Sequence, residues 1–233
     1  MPVIRFGVIV AMTVSALTFP VASNPVVQAD EATVSIGHGV SGQVFADDFE
    51  SGLGRWELLD PKTWKLSERD GNHTLEITAR KSEYKPPTRS PGHVALVKNL
   101  ELGSGEITFR VRSTKDTGNH RDCCVFFGYQ DASHFYYVHL GARPDPHSGQ
   151  IMIVNDADRL AMTKNERHVP WDDEWHNVKV KRDTKSGLIE IYFDNMKEPI
   201  MAVKDTTFGK GRIGIGSFDD LNEFDDIKVV ATP

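Results

Sequence analysis

Cysteine is nearly absent from this chain of 233 residues: there are two, adjacent at Cys123 and Cys124. Neighbours on a strand point to opposite faces, and bridging them would need a strained geometry, so no disulfide framework is expected. With no further cysteine and no CxxC spacing, a metal-binding cysteine pair is not expected either. Positive charge is also scarce. Lys and Arg number 27 against 33 Asp and Glu, a net charge of -6. Phosphate backbones require concentrated cations, so no nucleic acid partner is expected. Long hydrophobic runs are missing too. The apolar stretch from Phe6 to Leu17 is about a dozen residues, short of the roughly 20 that span a bilayer.

That stretch has the parts of a secretory signal instead. Arg5 precedes it, Pro20 ends it, and Val27-Gln28-Ala29 offers a small-residue cleavage site before Asp30. Residues 1–29 are expected to be a signal peptide, making the protein secreted or periplasmic, with no membrane partner after signal removal. Residues 30–43 are small and polar and read as a flexible leader. Residues 44–233 read as one domain of ordinary globular composition, 39% hydrophobic and 26% charged, without repeats or low-complexity linkers.

Helical periodicity is lacking throughout. Short alternating or apolar runs recur instead, separated by Asp70-Gly71-Asn72, Gly103-Ser104-Gly105, Ser186-Gly187 and Asp194-Asn195. About a dozen such runs predict an all-β sandwich, with helix confined to a turn or two. The period of two assigns faces. In Glu106–Arg112, the residues Ile107, Phe109 and Val111 form the core set, and Arg110 and Arg112 point the other way. In Phe135–Leu140, the core set is Tyr136, Val138 and Leu140, leaving Tyr137 and His139 together on the opposite face. Gln150–Asp156 is apolar on both faces. Trp171 is the better surface aromatic, and Trp175 reads as core, leading into Val178 and Val180.

The opening Phe45-Ala46-Asp47-Asp48-Phe49-Glu50-Ser51-Gly52 with Trp56, and the closing runs Gly187–Asp194, Gly211–Gly216 and Phe224–Val229, resemble secreted concanavalin A-like, or laminin G-like, jelly-roll domains. The resemblance implies two antiparallel sheets with a concave groove and a polysaccharide or oligosaccharide partner. It also implies a structural Ca2+ where the first and last strands meet, with Asp48 and Asp225 as ligands. The superfamily spans binding modules, hydrolases and lyases, so the fold alone does not choose among them. The alternating Glu-x-Asp triplet of its retaining glucanases is absent, and glycoside hydrolysis normally uses two flanking carboxylates.

The middle of the chain is rich in His, Tyr and Arg, the chemistry of jelly-roll polysaccharide lyases. In that reading Arg110 neutralises a uronate carboxylate while Tyr137 and His139 move protons in a β-elimination. Arg112, His120, Arg121, Tyr129 and Asn155 would bind substrate. Known lyase motifs do not recur, because Arg110-Val111-Arg112 lacks the expected Glu and the His lies in Tyr137-Val138-His139. Two alternatives stand beside it. One is a non-catalytic carbohydrate-binding module with tryptophan or tyrosine platforms. The other is a glycosidase similar to 3-keto-disaccharide hydrolases, with Asp122, Asp131 or Asp156 as its carboxylate.

Overall fold

Alternation of apolar and polar side chains becomes strand along nearly the whole described chain, which in the computed structural model comprises residues 34–36 and 41–233. The expected signal peptide, residues 1–29, lies outside the described residues. The first strands are β1 (Val34–Ile36), β2 (Gly42–Asp47), β3 (Trp56–Leu58), β4 (Trp64–Arg69), β5 (Asn72–Ile77) and β6 (His93–Leu102). The middle is β7 (Gly105–Ser113), β8 (Cys124–Asp131), β9 (His134–His139), β10 (Gln150–Asn155) and β11 (Leu160–Ala161). The chain closes with β12 (His176–Arg182), β13 (Leu188–Phe193), β14 (Met201–Lys204), β15 (Gly211–Ser217) and β16 (Asn222–Ala231). Two single 3-10 turns, Pro61–Thr63 and Gly118–His120, are the only helix among the described residues.

The strands form two sheets. The first runs β1-β6-β15-β8-β9-β10-β11, with β3 also on β6; the second runs β14-β13-β12-β7-β16-β5-β4, with β2 also on β16. Pairing is antiparallel apart from β1, which lies parallel to the end of β6. This is a two-sheet antiparallel jelly-roll sandwich. The last two strands insert into the middle of the two sheets, β15 between β6 and β8 and β16 between β7 and β5. Glycine makes that insertion fit. A Cβ at Gly214 or Gly216 would collide with the backbone carbonyls of Ala95 and His93 on β6.

The leader expected over residues 30–43 needs correction. Val34, Ser35 and Ile36 pair with Leu100, Glu101 and Leu102, and β2 already starts at Gly42. A three-residue stretch with two β-branched residues is too short to register as a period, yet it suffices to extend a sheet edge.

The inner faces pack as the period of two requires. Ile107, Phe109 and Val111 meet Tyr136, Val138 and Leu140 in one inter-sheet core, all at most 3% exposed. The first sheet then buries its outer face as well. Val94, Leu96, Cys124, Phe126, Phe135, Tyr137, Met152 and Val154 form a second apolar cluster there, joined by the half-buried Leu59 and Tyr84. The segment between β5 and β6 covers this face. Tyr84 packs into the cluster, the Arg89 backbone N–H donates to Asp158 at 2.8 Å, and the Arg89 carbonyl accepts from the Arg159 N–H at 3.1 Å. The doubly apolar β10 is thereby explained. Ile151 enters the inter-sheet core, and Met152 and Val154 enter the covered cluster.

The opening motif is a structural pin. Asp47 accepts from the Phe49 N–H at 3.0 Å and the Trp56 indole at 2.9 Å, and Trp56 packs against Phe45 and Phe49.

Candidate functional site

Each expected site residue has a definite place. Tyr137 and His139 share the outer face of the first sheet, as the parity of β9 requires, but that face is covered. Tyr137 is 0% exposed. Burial pushes its phenol well above the usual range, and its hydroxyl has no hydrogen-bond partner. Tyr129 lies buried in the same cluster. Arg110 and Arg112 lie on the outer face of the other sheet. Arg110 donates to Asp225 at 2.7 Å, and Arg112 donates to Glu223 at 2.6 Å. The sandwich core separates them from Tyr137 and His139, so the expected group of Tyr137, His139 and Arg110 is not assembled. Strand parity identifies a face but not the sheet to which a strand belongs, and here β7 and β9 belong to different sheets.

Asn155 is exposed at the far end of β10. It pairs with His134, whereas His139 pairs with Gln150, about 16 Å along the strand. Asp131 and Asp156 sit at that far end too, both on His134. The tryptophan assignment also reverses. Trp171 packs against the inter-sheet core and donates its indole N–H to the Leu140 carbonyl at 2.7 Å. Trp175 is half-exposed on the second sheet's outer face, with the Arg110 and Arg112 guanidiniums 5.1 and 5.0 Å from its ring. His176, Val178 and Val180 take the inward positions, and Trp175, one residue out of phase, takes the outward one.

The calcium pair does not form a cage. Asp48 is exposed, and its side chain accepts from the Glu50 N–H. Asp225 is buried, with its carboxylate occupied by Arg110, by Asn72 at 3.2 Å and by the Asp226 N–H. A carboxylate saturated by a guanidinium and two N–H donors has little left for a hard cation.

One group of residues does converge, at the end of the sandwich where β9 runs out. The turn Gly118–His120 leads into β8, whose first residue, Cys124, is directly opposite His139, the last of β9. Beyond His139 the chain makes a loop back to β10, closed by the Asp145 N–H donating to the Ser148 carbonyl at 2.9 Å. Gly149 supplies the positive φ of 65° that this closure needs, and a Cβ there would press on Pro144. These loops enclose a cleft of about 480 Å³ lined by His120, Arg121, Asp122, His139, Arg143 and Asp145, among others. Three of the expected residues, His120, Arg121 and His139, thus come together. Arg143 stands on the wall shared with an adjoining cleft of about 540 Å³.

The roles inside the cleft differ. Arg121 is buried and spent on structure, because its guanidinium bonds Asp116 at 3.1 Å and also Asp173. His120 and Arg143 are exposed and unpaired among the described residues. Asp122 and His139 form the floor. Asp122 accepts from the Ser217 hydroxyl at 2.9 Å and the Phe218 N–H at 3.0 Å through one oxygen, and its other oxygen faces His139 Nε2 at 3.7 Å. Burial works to raise the Asp122 carboxyl, but His139 and these donors outweigh it and hold the group below its usual value. His139 Nδ1 lies 2.8 Å from the His147 carbonyl, which can only accept, so Nδ1 carries a proton and Nε2 points at Asp122. Arg143 and Asp145 carried no signal in the sequence, since a loop has no period. Asp122 lies two residues before Cys124, the first residue of β8.

No family model matches the chain, and no curated protein matches it. Solved structures do match. The carbohydrate-binding module CBM66 from Bacillus subtilis superposes with a TM-score of 0.53 at 12% identity, covering 74% of this chain and 93% of that one. A Bacillus licheniformis β-glucanase superposes with a TM-score of 0.51 at 13% identity, covering 84% and 100%. At these identities the likeness establishes the jelly-roll fold.

Proposed function

We propose that the protein is exported and interacts with a polysaccharide or oligosaccharide through the cleft bounded by the loops 119–122 and 143–148. The observation that carries this reading is the pair of exposed side chains His120 and Arg143, unpaired among the described residues, on the rim of a polar cleft at the end of a jelly-roll sandwich. Sugar hydroxyls and carboxylates need such donors, and Arg143, shared by two adjoining clefts, suits a chain longer than one residue. The fold, shared with a carbohydrate-binding module, supports the reading, as does the N-terminal signal pattern. Elimination by Tyr137, His139 and Arg110 loses its support, because Tyr137 is sealed and Arg110 lies on the other sheet.

The Asp122–His139 pair favours a second reading, acid–base chemistry on the bound saccharide with His139 as proton carrier. Of the carboxylates weighed for a hydrolase, Asp122 is the one at this cleft.

Screening the protein lacking residues 1–29 against uronate-containing and neutral polysaccharides tests both readings. Binding, new reducing ends and the ultraviolet absorbance of unsaturated uronates are read together. Binding is expected, and Arg143→Ala should weaken it about tenfold or more, the loss of a charge-assisted hydrogen bond. Affinity unchanged by Arg143→Ala, or no glycan bound at all, overturns the assignment. New reducing ends that vanish in His139→Ala would establish the second reading.

A further inference from the structure

Beneath the cleft floor, the side chains of Asp122, Cys124 and His139 offer one carboxylate oxygen, one sulfur and one imidazole nitrogen, all within 4.8 Å of one another. We propose that these three residues form a binding site for a zinc-class divalent ion, independent of whether a saccharide binds above it.

The arrangement follows from strand geometry. Asp122 lies two residues before Cys124, at the entry to β8, and His139 is the cross-strand partner of Cys124. All three are buried, at 3%, 0% and 6% exposure. Oxygen, nitrogen and sulfur donors in one place suit zinc, whereas calcium and magnesium take oxygen alone. Zinc bond lengths place tetrahedral ligand atoms roughly 3.3–3.8 Å apart. The Asp122 Oδ2 to His139 Nε2 separation of 3.7 Å already meets that, and the longest spacing must close by about 1 Å.

The supporting contacts are those that ligands require. The His147 carbonyl holds His139 Nδ1–H, which leaves Nε2 as the free donor atom. Ser217 and Phe218 fix Asp122 through Oδ1, leaving Oδ2 to face His139 Nε2. The Phe218 ring stacks on His139 at 5.5 Å and restrains its plane. A fourth polar atom is present without employment. The Tyr137 hydroxyl is buried and unpartnered, on the same face of β9 as His139, with the two ring centroids 6.4 Å apart. The two ionised ligands would neutralise the ion, which removes the cost of burying its charge.

A thiolate is the form that binds the ion, so the Cys124 proton leaves to solvent as the ion binds. Cys123 provides an internal control. It is the adjacent thiol, but it points into the inter-sheet core.

The test is titration of the chelator-treated full domain with Co2+, followed by displacement with Zn2+. One equivalent should bind, with a thiolate-to-cobalt charge-transfer band and the intense visible bands of tetrahedral cobalt, both removed by Zn2+. Cys124→Ser and His139→Ala should lower affinity by more than the about 10–100-fold that losing a supporting second-layer partner costs. Cys123→Ala should retain the band. Zn2+ should also raise the melting temperature of the wild-type protein, a reading that needs no variant to fold. Absence of saturable one-equivalent binding by the wild type, or a band that survives Cys124→Ser, overturns the site. None of these readings uses a saccharide, so failure here leaves the glycan assignment untouched, and failure there leaves this one.

Discussion

On the outer face of the first sheet, Phe126 stacks on Tyr137 at 6.0 Å and meets Phe135 edge-on at 5.8 Å, beneath the segment between β5 and β6. On the outer face of the second, Arg69 and Arg112 grip the two oxygens of Glu223 at 2.8 and 2.6 Å, and Arg110 grips Asp225, under no cover. Both faces are the reverse sides of strands whose inner residues fill one common core. What distinguishes them is the non-local matter of what lies on top. A covered face can be apolar and dry. An uncovered face must be polar, and here its buried carboxylates are paired with arginines, two of which, Arg110 and Arg112, lie over Trp175. In the cleft floored by Asp122 and His139, two exposed side chains unpaired among the described residues, His120 and Arg143, lie at the end of the sandwich, where loops replace strands.

The sharpest way to break this contrast is to truncate one residue on each face and compare the losses. Phe126→Ala should destabilise the fold by about 3–5 kcal/mol, since it removes a fully buried ring from a packed cluster. Arg112→Ala on the other face should cost less, about 1–3 kcal/mol, because Arg69 still pairs with Glu223. Urea unfolding measures both. A double-mutant cycle of Arg112→Ala with Glu223→Gln should show positive coupling, whereas Phe126 and Arg112 should be additive across the core. Equal losses at Phe126 and Arg112 would show that the cover over the first sheet excludes little water.

The same contrast marks what the sequence could reveal. Alternation in β7 and β9 separates core from outer residues, and every inward position read from it is buried in the sandwich. The pairing of Tyr137 with His139 on one face is equally local and equally right. That β7 lies in the other sheet is a matter of topology, since β16 enters beside β7 only from the far end of the chain. Nor does any period announce the cover. Lys81, Lys85, Pro86, Pro87 and Arg89 are polar or turn residues with no period, and Tyr84 is the one of that segment that packs into the cluster. The apolar residues on both sides of β10 were the available hint, since a strand buries both faces only when both are covered. One-residue phase errors account for the remaining misplacements. Asp47 rather than Asp48 is the buried acid of the opening motif, and Trp175 falls outward because His176 takes the inward phase.

The smallest effect concerns the seam where the covered sheet meets solvent, at the start of β9. His134 contacts Asp131 at 2.8 Å and Asp156 at 3.0 Å, tying β8 and the segment after β10 to one imidazole. Hydrogen bonds to Asp131 and then Asp156 raise its pKa above the ordinary 6.5. A histidine that titrates higher when folded stabilises the fold fully below the unfolded value, and that contribution disappears as pH rises through the folded value. Nuclear magnetic resonance titration of the His134 ring should therefore show a midpoint above 6.5, moving down in Asp131→Asn. Stability should decline slightly as pH rises past 6.5 and through the folded midpoint in the wild type, and this decline should be weaker in His134→Gln. A midpoint at or below 6.5 would mean that the two carboxylates are solvated rather than paired. Because the groups are exposed, added salt should shrink the shift, while the Phe126→Ala loss, which carries no charge, should respond far less.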